Sequence, residues 1–98
     1  MTLEIKKNNT ETTIKVVGRL DTVTAPVLEK MINQSALTNP NVVLELSRLE
    51  YISEVGLRVL LDVNEKMRSI GSLRLVGIGD GIMETLRATG CADALAIG

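Results

Sequence analysis

The chain has 98 residues, a formal charge of −1 and 45% apolar residues, which is enough for one folded domain without cross-links. Its only aromatic residue is Tyr51, and no basic cluster is present, so it lacks the stacking platforms and phosphate-binding surfaces of nucleic-acid-binding proteins. It has no histidine and one cysteine, Cys91, which excludes a zinc site of the usual type and a disulfide framework. We therefore expect a single domain over residues 1–98, with no metal, no cofactor and no nucleic-acid partner.

The N-terminal segment Met1–Lys7 is polar and strand-like, unlike a signal peptide. No apolar run in the chain approaches the length that spans a bilayer. A lone cysteine also suits a reducing compartment. These features predict a cytoplasmic protein without membrane insertion.

The first half of the chain predicts a hairpin, a helix and a third strand. Apolar and polar residues alternate over 3–6 and again over 13–16, in a second strand that ends near Gly18, and the short polar break between them favours an antiparallel hairpin. Residues 21–26 combine capping residues with a proline, as at a helix start, and Asn39-Pro40 ends that helix. Residues 42–46 are nearly all apolar, which predicts a central strand that is covered on both faces.

The second half predicts the clearest helix, Glu54–Ile70, followed by a strand over 73–78 and a short helix over 82–90. Residues 94–97 are compatible with a last edge strand. Six apolar residues share one face of the long helix: Val55, Val59, Leu60, Val63, Met67 and Ile70. The predicted order is β-β-α-β-α-β-α with a possible final strand, an α/β fold with a mixed sheet of four to five strands.

The acidic residues are scattered, and none is paired at a spacing that suits acid–base catalysis, so we do not expect an enzyme. The segment Gly77–Gly81 follows a strand and opens a helix, as phosphate-binding loops do. It lacks the third glycine of the dinucleotide fingerprint, and no Lys-Ser or Lys-Thr pair follows it. A flexible turn is the favoured interpretation, and a small nucleotide-binding enzyme is the alternative.

Four motifs in order resemble the STAS domain of bacterial anti-sigma-factor antagonists. Gly18–Asp21 resembles the family's Gly-x-Leu-Asp, and Leu44–Ile52 is similar to its central strand and the loop that follows. Ser53–Leu57 lies where the family carries Asp-Ser-(Ser/Thr/Ala)-Gly-(Leu/Ile), and Leu86–Gly90 resembles its last helix. The resemblance covers nearly the whole chain.

This resemblance implies a partner and a switch. In the family, the dephosphorylated antagonist binds an anti-sigma factor that is itself a serine kinase, and so frees a sigma factor for transcription. The kinase then phosphorylates the serine after the motif's Asp, and the complex dissociates. We expect a monomer or weak dimer whose partner-binding surface comprises Arg19, Asp21, Thr22, Thr24, Tyr51, Ile52, Ser53, Glu54, Val55, Gly56, Leu57 and Arg58.

The chain departs from the family pattern at the switch itself, because Glu54 stands at the phosphoserine position and Ser53 replaces the Asp. Glu54 could mimic the phosphorylated state, mark a member that no longer uses the switch, or be a deliberate replacement of serine. It could also be an ordinary first-turn acid that interacts with the helix dipole. Ser53 suits a helix cap, and it could alternatively replace the missing phosphorylation site.

Two further functions are compatible with the same resemblance. STAS domains also serve as subunits of lipid-transport ABC systems, and a domain of this kind could be a scaffold piece in a sensory assembly.

Overall fold

A computed structural model describes all residues, 1–98, and its centre is a five-stranded mixed sheet. Strand β1, Thr2–Lys7, pairs antiparallel with β2, Thr12–Leu20, as the predicted hairpin. Strand β3, Asn41–Glu45, runs parallel to β2, and β5, Ser72–Val76, runs parallel to β3. The predicted α/β fold with a mixed sheet is thus confirmed.

The fifth strand lies where the sequence predicts a loop. Strand β4, Leu49–Ile52, pairs parallel with the last residues of β2. Because β2 has nine residues and pairs with β3 only over 12–15, its end over 18–20 has backbone groups free for a second partner. The burial of β4 does not alternate, since only its two end residues are buried, and periodicity therefore could not reveal it.

Four helices complete the domain. Helix α1, Ala25–Thr38, packs against α2, Glu54–Ile70, and α2 also packs on β5. Helix α3, Asp80–Ala88, contacts β4 and leads into the short α4, Cys91–Ala94. A single apolar core of 22 buried residues joins the sheet to all four helices.

Two residues of the long helix depart from the predicted apolar face. Val55 is 39% exposed and Ile70 is 48% exposed, at the two ends of α2. The middle of the same face is buried as predicted, because only there do α1 and the sheet cover it. Exposure at the start of α2 leaves Val55 free to contact a partner.

Residues 94–97 do not form the possible last edge strand. The first of them ends α4, and Ile97 makes only an isolated parallel bridge with Leu75. Two backbone hydrogen bonds hold this segment, from Leu75 N to Ala96 O at 2.8 Å and from Gly98 N to Leu75 O at 2.9 Å. The end of the chain therefore lies along β5.

Candidate partner-binding site

The site forms where β2 and β4 end side by side. Arg19 pairs with Tyr51 and Leu20 pairs with Ile52 across these parallel strands. The backbone N–H of Ser53 then donates to Leu20 O at 2.9 Å. Since both strands end at the same edge, the loop over 21–24 and the start of α2 lie next to each other.

Asp21 organises the loop that leads into α1. Its Oδ1 accepts from the backbone N–H groups of Val23 and Thr24, both at 3.0 Å. Its own N–H donates to Thr24 Oγ1 at 2.8 Å, and that hydroxyl lies 2.7 Å from Arg19 O. The backbone hydrogen bond from Thr24 is the main reason that the pKa of Asp21 lies below its usual value. The carboxylate thus holds the turn, and it is already engaged by the chain itself.

The first turn of α2 is fixed by its cap and by close packing. Ser53 Oγ accepts from the backbone N–H of Gly56 at 3.1 Å, which is the N-cap that the sequence predicts. At Gly56 a Cβ atom would lie 2.8 Å from Leu20 O, so a larger residue would push the helix away from β2. Glu54 lies in this turn, is exposed, and makes no ion pair.

An exposed cation–π pair flanks that turn. The guanidinium carbon of Arg19 lies 4.2 Å from the centroid of the Tyr51 ring. The two residues are partners across β2 and β4, so the strand pairing brings them together. The stacked ring orients one positive charge close to the start of α2.

The structure brings all twelve predicted residues to this edge of the sheet, but they differ in accessibility. Ile52, Gly56 and Leu57 are buried and support the surface from below. The loop and cap residues, Asp21, Thr24 and Ser53, are half-buried. The exposed residues are Arg19, Thr22, Tyr51, Glu54, Val55 and Arg58.

Sequence reasoning missed a groove that continues from this surface between α2 and α3. It is open, has a volume of about 680 Å³, and adds residues from both helices and from the start of α4. The added residues are Leu61, Asp62, Thr85, Thr89 and Cys91. The sequence places Leu61 one helical turn after Leu57, on the same side of α2. No sequence pattern shows which face of α2 is left uncovered by α3.

The Gly77–Gly81 loop offers little to a phosphate. Gly77 has a φ of +67°, and a Cβ atom there would lie 2.7 Å from Glu45 Oε1. That carboxylate accepts from Ser47 N at 2.8 Å, and the hydrogen bonding of Ser47 is the main reason that the pKa of Glu45 is lowered. A negative charge held beside the loop repels an anionic ligand.

Comparison with known proteins decides the family. A family model described as "STAS domain" matches residues 2–97. The chain belongs to the STAS domain family. This confirms the family indicated by the sequence motifs.

The relatives of this STAS domain include anti-sigma-factor antagonists. The anti-sigma-F factor antagonist RsfB of Mycobacterium tuberculosis is 31% identical over 68 residues, which are 68% of this chain and 56% of RsfB. This chain therefore matches little more than half the length of that relative. A crystal structure of an anti-sigma factor antagonist from Mycobacterium paratuberculosis is 27% identical, with a TM-score of 0.85 over 98% of this chain and 83% of that one.

A more distant antagonist has the same fold. The unphosphorylated form of SpoIIAA, a Bacillus cell fate determinant, is 11% identical and has a TM-score of 0.80 over 99% of this chain and 88% of its own. At this identity the likeness concerns the fold alone. No helix of this STAS domain is both long and apolar enough to cross a membrane.

Proposed function

We propose that this STAS domain is an anti-sigma-factor antagonist and that it binds an anti-sigma factor of the serine-kinase type in the cytoplasm. Binding would withhold the anti-sigma factor from its sigma factor and so permit transcription. The observation that carries the proposal is the exposed surface at the start of α2, where Arg19, Tyr51, Glu54 and Arg58 surround the family's switch position. The antagonist relatives support the same function.

The surface has the character of a protein-binding site. Tyr51 and Arg19 are of the residue types that dominate the energetics of interfaces, and Val55 adds exposed apolar area beside them. The buried residues beneath and the hydrogen-bonded turn over 21–24 hold these side chains on rigid elements. A preorganised surface loses little conformational entropy when a partner binds.

We further propose that Glu54 holds the chain in the weak-binding state that phosphorylation produces in switching members of the family. The first turn of a helix favours negative charge, so the carboxylate is compatible with the fold. Mimicry is incomplete, because a carboxylate carries one negative charge and phosphate carries about two. SpoIIAA, which has the same fold, is known in a phosphorylated form.

The replacement Glu54→Ser tests both parts of this proposal. We expect the Glu54→Ser chain to capture a kinase-like anti-sigma factor from a lysate of the source organism, and to bind the purified factor about tenfold or more tightly than the unaltered chain. Isothermal titration calorimetry measures the two dissociation constants. Equal constants would contradict the mimicry and leave the antagonist function standing, whereas capture of transporter subunits, or of nothing, would contradict the function itself.

Ser53 gives the test its control. Its hydroxyl already accepts the capping hydrogen bond from Gly56, which favours a structural role over phosphorylation. After incubation with the captured kinase and ATP, mass spectrometry should find phosphate on residue 54 of the Glu54→Ser chain and none on Ser53 of the unaltered chain. Phosphate on Ser53 would move the switch to that residue.

The proposed antagonist acts as a monomer or weak dimer. Sedimentation velocity over a range of protein concentrations measures this directly. A stable larger assembly would instead favour a role as a scaffold component.

A further inference from the structure

We infer that the groove between α2 and α3 receives a short amphipathic helix of the anti-sigma factor, and that this helix carries an acidic residue near Arg58. The inference rests on the proposed function and extends its contact surface beyond the loop and the first turn of α2. The groove begins at the proposed surface, because Tyr51, Ser53, Glu54 and Arg58 line it at that end.

The floor of the groove is apolar. Leu57 and Leu61 lie one turn apart on α2, and Cys91 closes the floor from the start of α4. Leu57 is 8% exposed and Cys91 is 7% exposed, so both are packed in the core, while Leu61 is half-buried and lines the groove. A row of apolar residues at one-turn spacing suits apolar residues at the same spacing on a second helix.

The wall formed by α3 is less polar than its sequence suggests. Thr85 Oγ1 donates to Gly81 O at 3.2 Å, and Thr89 Oγ1 donates to Thr85 O at 2.8 Å. Because each hydroxyl proton is bonded within its own helix, neither needs a hydrogen-bond acceptor from a partner. The wall can therefore pack against aliphatic side chains without losing hydrogen bonds.

The charges on the rim set the chemistry of the partner. Arg58 stands at the end near the start of α2, where the stacked Arg19 and the helix dipole add positive potential. Asp62 stands one turn further along α2. A helix that lies along the groove would complement them with an acidic residue near Arg58 and a basic residue one turn away.

Glu54 lies where its charge would oppose binding of this helix. Its carboxylate lies on the same rim, one turn before Arg58, and would repel the acidic residue of the partner. Replacement by serine would remove the repulsion and leave the positive charge of Arg58 on the rim. This accounts for a switch at residue 54 without any change in the fold.

An exposed thiol on the groove makes its occupancy measurable, because Cys91, the only cysteine of the chain, is buried whereas Thr89 in the same groove is exposed. In the Glu54→Ser chain that also carries Cys91→Ala and Thr89→Cys, alkylation of the new thiol by N-ethylmaleimide is followed by mass spectrometry with and without the purified anti-sigma factor. With the factor at about ten times its Kd, roughly nine-tenths of the chain is bound, so the alkylation rate should fall about tenfold. An unchanged rate would overturn the inference.

A matched control places the thiol elsewhere. The double replacement Cys91→Ala and Leu37→Cys moves the cysteine to α1, where Leu37 is 86% exposed and lies outside the groove. Its alkylation rate should stay the same when the anti-sigma factor is added. Protection of both positions would mean nonspecific shielding, and protection of the thiol at position 89 that rises with the concentration of the chain alone would mean a second copy in the groove. Either result would overturn the inference.

Binding measurements separate this inference from the proposed function. In the Glu54→Ser chain, Leu61→Glu and Asp62→Lys should each weaken binding by about tenfold or more, while Leu37→Glu should change it by less than about twofold. If the Glu54→Ser chain binds and both groove variants bind equally well, the groove inference falls and the proposed function stands. If the Glu54→Ser chain binds no anti-sigma factor, both fall. Asp62 is exposed and lies outside the surface at the start of α2, so its replacement remains informative even if Leu61→Glu fails to fold.

Discussion

A single glycine sets the position of the first turn of α2. Gly56 lies in the first turn of α2, two residues after Glu54, and its missing side chain allows the helix to approach Leu20 O. Ile52 Cγ1 would also lie 3.0 Å from a Cβ atom at this position. Close contact between α2 and the end of β2 therefore depends on the absence of a methyl group.

The replacement Gly56→Ala should lower the free energy of unfolding by about 1–3 kcal/mol, because overpacking against a backbone oxygen outweighs the better helix propensity of alanine. Gly81 in α3 is the matched control, since no atom lies within 4 Å of its Cβ position. Gly81→Ala should leave stability unchanged or raise it by up to about 1 kcal/mol. Urea unfolding measures both. Equal effects of the two replacements would show that the contact at Gly56 is unimportant.

The turn that leads into α1 is sensitive to acid. The backbone N–H groups of Val23 and Thr24 donate to the Asp21 carboxylate, whose folded pKa is lowered chiefly by the backbone hydrogen bond from Thr24. A lowered folded pKa adds stability above the unfolded value of about 3.9, and this contribution disappears as the pH falls through the folded pKa. The start of α1 should therefore weaken only in acid.

The replacement Asp21→Asn keeps an acceptor oxygen but removes the charge that strengthens these hydrogen bonds. We expect a lower melting temperature than that of the unaltered chain at pH 7, and a difference that shrinks towards zero as the pH falls through the lowered pKa of Asp21. Thermal unfolding followed by circular dichroism across this pH range tests it. Asp93→Asn, at an exposed position without a side-chain hydrogen bond, serves as the control. A difference that persists in acid would mean that the charge of Asp21 does not hold the turn.

At the scale of the whole molecule, one core connects the functional surface to the rest of the chain. Leu86 of α3 is fully buried in the same apolar cluster as residues of the sheet and of α2. Residues that share one core unfold together in a small domain. Helix α3 and the first turn of α2 should therefore unfold in one transition.

Leu86→Ala should lower the free energy of unfolding of the whole chain by about 2–5 kcal/mol, because it leaves a cavity in the shared core. Circular dichroism reports the helices, and the fluorescence of Tyr51, the only aromatic residue, reports β4. Both signals should shift to the same lower urea concentration. The exposed control, Leu37→Ala, should change stability by less than about 0.5 kcal/mol. Separate transitions for the two signals would contradict a single cooperative core.

The sequence alone determined the elements whose signals are local. The alternation in β2, the proline at the start of α1, the Ser53 cap and the helix over Glu54–Ile70 depend on neighbours along the chain, and the structure confirms each of them. In β1 the predicted alternation is absent from the burial, because every residue except Leu3 is exposed. The STAS motifs also lie within short segments, so they could be recognised before any fold was known.

Features that depend on distant partners follow from tertiary packing and not from local sequence. Strand β4 exists because the long β2 offers backbone groups beyond the end of β3, and the burial pattern of Leu49–Ile52 gives no sign of this. The stacking of Arg19 on Tyr51, the exposure of Val55 and the groove floored by Cys91 likewise follow from which elements become neighbours. Residue types and periodicity show what one segment prefers, whereas a surface for a partner is made by segments far apart in the chain.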